Sequence, residues 1–281
     1  MKYAILGYDT INIGDDIQSL VTSTLLDIDY IILRDNYFII YNFKTGDKIN
    51  LNEINEKIYL IMNGWFILCE DHWPIGKDDG KIKFPILNDF IIPIFISTCF
   101  SKDVKFLENN ECIEYYKKYG PIYSRDLSTL EMLQKNNVES EFFGCLTQLL
   151  DCKNIPDNDI YKNKYTDSII LVDCDKNNII INDLENTNNI HYFNHYIDDL
   201  VNLNPIERIN YAKDLLSKYK YAKKIYTTRL HCYLPCRAMS IDVEYVGEKC
   251  YRTIDLIKNN CNKENLLNKF YNIIRDKTNK F

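Results

Sequence analysis

The 281-residue chain is poor in small and turn-forming residues, with four alanines, nine glycines, seven prolines and four histidines. So little glycine and proline excludes collagen-like and linker-like chains, and the ordinary apolar and charged content excludes intrinsic disorder. No long hydrophobic run occurs. The longest, Phe90 to Phe100, is broken by Pro93 and is about half the roughly 20 residues that span a bilayer. There is no basic excess: Lys plus Arg is 34 against 40 for Asp plus Glu, a net charge of −6. That balance lacks the electrostatic footprint of a nucleic-acid binder. Also missing are G-x-G-x-x-G, a P-loop, a G-x-S-x-G elbow and any C-x-x-C pair.

Isoleucine (40), asparagine (32) and tyrosine (22) are abundant. All are written by AT-rich codons, so the excess reflects base composition rather than function. The ten cysteines are scattered, several of them in apolar stretches. They read as small buried hydrophobes in a reducing compartment rather than as a disulfide framework. The first residues hold no signal-peptide hydrophobic region. The expectation is a soluble protein of the cytoplasm, or of the host cytoplasm if the source is viral. The basic end, residues 258–281, reads as a solvated helix face.

Short β-rich runs alternate with amphipathic helices. Strands are expected at 2–7, 30–33, 37–42, 58–62 and 93–97, with a helix whose apolar positions are Ile17, Leu20, Val21 and Leu25. A helix over 103–118, a strand at 122–124, a helix with Leu127, Leu130 and Leu133 on one face and a strand at 141–143 follow. Residues 151–167 lack a periodic apolar face and read as a linker. The alternation then restarts with strands at 168–173, 191–193, 224–227 and 243–246 and helices at 205–220, 230 onward and 263–275. Two βαβα blocks predict an α/β protein of two Rossmann-like lobes with parallel sheets facing across a cleft. The expected bounds are 1–155 and 165–262, with helix 263–281 packing back on the first lobe.

Three strand-to-helix turns could carry chemistry. Thr228-Arg229-Leu230-His231 places a hydroxyl, a guanidinium and an imidazole at a helix start, where unpaired N–H groups favour anions. Ser124-Arg125-Asp126 is a second such turn, whose plain reading is Asp126 as a helix N-cap. In Asn12-Ile13-Gly14-Asp15-Asp16, Gly14 permits close backbone approach and Asp15 could bind a sugar hydroxyl. Trp65 and Trp73, with Asn63-Gly64, could line a sugar-binding surface. His191 and His195 are spaced for one helix face, but His191-Tyr192-Phe193 reads as a strand, so no metal site is expected.

Taken in order, Asn12–Leu20, Met62-Asn63-Gly64-Trp65, Gly120–Asp126, Gly144-Cys145-Leu146-Thr147 and Thr228–His231 resemble the polysaccharide pyruvyl transferase family, in a divergent branch found in bacteria and giant DNA viruses. The resemblance spans roughly residues 1–240 and implies a fold similar to GT-B glycosyltransferases. It implies transfer of pyruvate from phosphoenolpyruvate to two hydroxyls of a sugar in a glycan, forming a cyclic ketal with no further cofactor. It assigns His231, Arg229 and Asp126 to catalysis. Arg125, Thr228, Asn12, Gly14, Asp15, Asn63, Trp65, Gly144 and Thr147 are assigned to substrate binding. Ser97-Thr98-Cys99-Phe100 stands where related proteins would have a histidine. The competing readings are a GT-B glycosyltransferase using a nucleotide sugar and an inactive glycan-binding protein.

Overall fold

A computed structural model describes residues 1–34, 39–66, 76–78, 81–83, 89–101, 110–174, 189–258 and 262–281. The chain forms two compact units that interleave along the sequence. The first comprises Met1–Asp9, Leu25–Leu146 and Tyr251–Phe281; the second comprises Thr10–Thr24 and Thr147–Cys250. Each unit is thus assembled from separate stretches, unlike the contiguous expected bounds 1–155 and 165–262.

β1 (Lys2–Gly7) leads into α1 (Ile13–Leu25), and β2 (Tyr30–Leu33) follows. In the first unit, β3 (Ile39–Asn42) and β4 (Lys48–Asn50) extend one edge, while β5 (Ile58–Ile61) begins the other side. β6 (Gly64–Phe66) continues shortly after β5, and β7 (Gly76–Asp78) and β8 (Lys81–Lys83) make a separate antiparallel pair. β9 (Ile91–Ile94) and β10 (Ile96–Phe100) are followed by α2 (Asn110–Tyr119), β11 (Ile122–Ser124), α3 (Leu127–Lys135) and β12 (Ser140–Phe142).

One sheet has the order β4-β3-β2-β1-β5-β9, and another β12-β11-β10-β6. β1 pairs in parallel with both β2 and β5, and Ala4 to Leu6 are fully buried. Burial on both faces explains why this strand is continuously apolar rather than alternating. The chain adds β2 on one side of β1 and β5 on the other. The topological switch point therefore lies at the carboxyl ends of β1 and β5. There Tyr8 donates to the Asn63 carbonyl at 2.8 Å.

The single strand expected at 93–97 is two strands. Ser97 has a φ of 60° and the β10 register shifts between Ile96 and Thr98. An unbroken apolar run carries no period to mark such a break. Pro93 stands in β9, an edge strand of its sheet, where a missing N–H is tolerated. The expected helix from Asp103 is seen from Asn110; residues 102–109, like Trp73, lie outside the described residues.

The second unit holds α4 (Asp159–Tyr165), β13 (Ile169–Val172), β14 (Ile190–Phe193), α5 (Pro205–Tyr219), β15 (Lys224–Thr227), α6 (Leu230–Ala238) and β16 (Val243–Tyr245). Its sheet is parallel throughout, in the order β14-β13-β15-β16. The switch point lies between β13 and β15. Asn204 and Glu207 form a capping box at the start of α5, with Pro205 in the first turn.

The linker expected at 151–167 is ordered and contains α4. Polar ties hold it to α5 and the turn after it in place of an apolar stripe. Tyr161 donates to Asp214 at 2.6 Å, Ser217 to the Pro156 carbonyl at 3.0 Å and the Asn158 N–H to the Tyr221 oxygen at 2.8 Å.

Two helices close the chain, both in the first unit: α7 (Tyr251–Lys258) and α8 (Lys263–Lys280). α8 buries Leu266, Phe270, Ile273 and Ile274, and its Lys269 donates to the Phe142 carbonyl at 3.0 Å. The expected solvated basic face is only partly solvated. Lys277 is 3% exposed and donates to the Tyr119 carbonyl, and burial pushes its pKa down to about 7. Among the described residues no helix is long and apolar enough to cross a membrane.

Candidate functional site

Ligands of open parallel sheets bind beyond the carboxyl ends of strands at the switch point. In the second unit those ends are Val172-Asp173 and Thr227-Thr228-Arg229. Arg229 is the N-cap residue of α6, so His231 sits in that helix's first turn. Opposite them is the turn that opens α1. The Asn12 side chain accepts the Gly14 N–H at 3.1 Å and shapes the turn. A methyl group on Gly14 would lie 3.0 Å from His231 Nδ1 and 3.1 Å from its Cβ. Only a glycine lets the imidazole and this backbone come so close. Gly14 and His231, 217 positions apart, are thus neighbours.

The geometry of Arg229 is well defined. Its Nε donates to Asp173 Oδ2 at 2.6 Å, and its guanidinium lies 4.2 Å from the centre of the Tyr196 ring. Its terminal nitrogens have no protein partner among the described residues. Thr228 donates to the Asp173 carbonyl at 2.9 Å, and Thr227 Oγ1 accepts the Arg229 N–H at 2.9 Å. The site thus offers a planar fork and an imidazole at a helix start, a pairing suited to a compact anion.

Asp15 is largely buried and accepts from Thr10 at 3.0 Å and from Gln18 at 3.4 Å. Beneath it, Asp16 makes a buried ion pair with Arg208 on α5. Arg208 Nε and Nη2 reach the two Asp16 oxygens at 3.0 and 2.8 Å, and Nη1 and Nη2 also donate to the Leu200 and Thr10 carbonyls. Burial pushes the Asp16 carboxyl up to about 7 against the opposing pull of Arg208. This pair fixes the start of α1 on the second unit.

The remaining predicted residues gather in the first unit, apart from Thr147. Gly64 and Ser124 flank Thr98 across three parallel strands, and the Arg125 N–H donates to the Thr98 carbonyl at 2.8 Å. Asn63 and Trp65 flank the same level at β6, and Gly144, with a φ of 92°, turns the chain after β12 beside the Ser124 carbonyl. Arg125 is 4% exposed; burial opposes its charge, but Cys99, Cys145 and Asp126 outweigh this and hold its pKa above the usual value. Asp126 is fully buried, and its two oxygens accept from the Thr129 N–H at 2.8 Å and the Thr129 hydroxyl at 3.3 Å. It is the N-cap of α3, the plainer of the two sequence readings. Thr98, within the Ser97–Phe100 stretch, uses its hydroxyl on the Met62 carbonyl at 2.7 Å. Thr147 falls in the second unit, fully buried in a 3-10 turn, Leu146–Leu149.

His191 and His195 stand apart in role. His191 is on β14 with its Nε2 against the Asn189 side chain, while His195 is buried with its Nε2 at 3.2 Å from the Tyr219 hydroxyl. Sequence reasoning missed Asp173, Tyr196 and Arg208. Only Asp173 left a trace, as a carboxylate ending an apolar strand.

No curated protein matches the chain. Among solved structures it is similar to a functionally uncharacterised protein, KP1_0663, from Klebsiella pneumoniae subsp. pneumoniae NTUH-K2044. The two are 15% identical with a TM-score of 0.49, over 93% of this chain and 90% of that one. The family profile described as Polysaccharide pyruvyl transferase matches residues 12–240, a span that holds every predicted site residue. The chain therefore belongs to the polysaccharide pyruvyl transferase family, transferases that act in glycan modification.

Proposed function

We propose that the protein transfers pyruvate from phosphoenolpyruvate onto two hydroxyls of a sugar in a glycan or its precursor, forming a cyclic ketal and releasing phosphate. The observation that carries this reading is the second unit's switch point. There a guanidinium whose terminal nitrogens have no partner among the described residues stands two residues from an imidazole packed on the Gly14 turn.

The chemistry needs those groups. Phosphoenolpyruvate carries a carboxylate and a phosphate on adjacent positions, which Arg229 and the α6 start bind. Protonation of its methylene carbon leaves positive charge at the adjacent carbon. His231 supplies that proton. One sugar hydroxyl adds to that carbon and returns its proton to His231, and the C–O bond to phosphate then breaks. The second hydroxyl closes the ring and gives its proton to the departing phosphate. In sum, one donor and one diol give one ketal carboxylate and one phosphate. Asp15 orients an acceptor hydroxyl, and the family resemblance supports substrate binding by Asn63, Trp65 and Arg125. Asp126 contributes through its cap, which sets the start of α3 next to Arg125.

Calorimetric titration of the full chain tests the donor. Phosphoenolpyruvate is expected to bind and Arg229→Ala to abolish the heat. Binding of a nucleotide sugar alone would move the assignment to a glycosyltransferase.

A further inference from the structure

Two residues outside the turns singled out in the sequence hold Arg229. Asp173 Oδ2 accepts the guanidinium Nε at 2.6 Å, and the Tyr196 ring covers one face at 4.2 Å. The two constraints share a part. The same Asp173 oxygen accepts the His195 N–H at 3.0 Å, so the carboxylate that holds the guanidinium edge also anchors the segment carrying Tyr196. That segment is tied on its other side to the chain leading into α1. The Ile13 N–H donates to the His195 carbonyl at 2.9 Å, and the Ile197 N–H to the Ile11 carbonyl at 2.8 Å.

Asp173 is itself fixed. Its N–H donates to the Phe193 carbonyl at 3.0 Å, its carbonyl accepts from Thr228 at 2.9 Å, and its φ is 49°. That left-handed conformation is one that Asp adopts more readily than most residues.

A carboxylate beside an anion-binding arginine repels the anion, so Asp173 works against donor affinity by Coulomb's law. What it supplies is direction. An arginine on a flexible stem must be ordered when a ligand binds, and ordering it beforehand removes that cost. With Nε and one face occupied, the guanidinium plane is set and the two terminal nitrogens remain for a planar carboxylate or a phosphate edge.

We infer that Asp173 and Tyr196 are positioning residues for Arg229, holding its guanidinium in a fixed plane for the donor's anionic groups. Which donor they serve rests on the function proposed above; the positioning itself does not.

The test has one arm for each. The first is the Nε–H signal of Arg229 in a 15N spectrum of the full chain without donor, identified by its loss in Arg229→Lys. It is expected to be resolved and slow to exchange in the native protein, retained in Asp173→Asn, whose amide oxygen still accepts, and averaged out in Asp173→Ala. An unchanged signal in Asp173→Ala overturns the inference. The second arm is steady-state phosphate release from phosphoenolpyruvate with a sugar acceptor. Asp173→Ala is expected to lower kcat by roughly 10- to 100-fold while KM for phosphoenolpyruvate is unchanged or falls. Tyr196→Leu is expected to lose about 3- to 10-fold and Tyr196→Phe to stay within about twofold, because the ring and not the hydroxyl does the covering. A rise in KM with kcat unchanged in both Asp173 variants contradicts positioning. Should Asp173→Ala fail to fold, Tyr196→Leu decides: a lowered kcat with KM for phosphoenolpyruvate unchanged supports the inference, and native values of both overturn it. No turnover by the native protein, with the first arm as expected, would refute the donor and leave the positioning intact.

Discussion

Replacing Arg208 by methionine removes one half of the buried pair that fixes the start of α1. Arg208 and Asp16 are 1% and 2% exposed, and the guanidinium makes four hydrogen bonds, two of them to the carboxylate. Breaking a buried ion pair on one side costs about 3–5 kcal/mol, because the other charge stays behind without compensation. The two single variants should differ in kind. Asp16→Leu strands a guanidinium that cannot shed its proton, so its deficit should not depend on pH near neutrality. Arg208→Met strands a carboxyl that can take one up. Burial already pushes Asp16 up to about 7 from an ordinary value of 3.8, and loss of Arg208 raises it further. Between the unfolded and folded values the folded state then binds more protons, so stability falls as pH rises. The deficit of Arg208→Met should therefore be larger at pH 8 than at pH 5. The double variant should regain most of what either single loses, a coupling of about 3 kcal/mol. Urea unfolding followed by circular dichroism, with hydrogen exchange of the α1 amides as the local probe, measures all three. Single variants within about 1 kcal/mol of native, or an Arg208→Met deficit that grows on acidification, would refute the reasoning.

Other perturbations separate site from scaffold. Gly14→Ala puts a methyl 3.0 Å from His231 Nδ1; kcat/KM should fall by about tenfold or more as the imidazole is displaced, with the melting temperature lowered by the few degrees that overpacking of about 1–3 kcal/mol costs. Equal activity would mean that the His231 position is not critical. Asp126→Ser keeps an N-cap acceptor for α3 and should turn over within about threefold of native, whereas Asp126→Ala should lose about 1 kcal/mol of stability. Complete loss of turnover in a stable Asp126→Ser would return Asp126 to the chemistry. Lys277 has a folded pKa near 7 against an ordinary 10.5, so between those values the unfolded state binds more protons and stability rises with pH. Lys277→Met should be more stable than native at pH 7, and thermal melts should show that advantage shrinking as pH rises toward 10. A constant gap would contradict the buried-amine account.

The strands and most helices were legible because their apolar periods are strong. β1, β5 and β13 announce themselves as short buried runs, and α2 places Cys112, Tyr115, Tyr116 and Tyr119 on one buried face. What failed has specific causes. α4 is held by Asn158, Tyr161 and Tyr221 through hydrogen bonds, so it has no apolar face to read. The break between β9 and β10 lies inside a wholly apolar stretch, where no pattern distinguishes one residue from the next. The grouping of residues 10–24 with the second unit depends on Asp16 meeting Arg208, 192 positions away, a pairing no local signal encodes. The site divides the same way. Arg229, His231 and Gly14 stand at strand-to-helix turns, which the sequence marks as places where a ligand could be held. Asp173 and Tyr196 are not so marked, being single residues whose meaning comes from the arginine brought against them.

The most direct test of the central claim is phosphate release from phosphoenolpyruvate by the purified full chain across a panel of hexosides, with the products weighed by mass spectrometry. Phosphate should appear only with an acceptor, in step with a product heavier by one pyruvate ketal. Arg229→Ala and His231→Ala should each abolish both signals while remaining folded. Ketal formation undiminished in those two variants would contradict the assigned site, and transfer of a sugar from a nucleotide donor without ketal formation would contradict the assigned reaction.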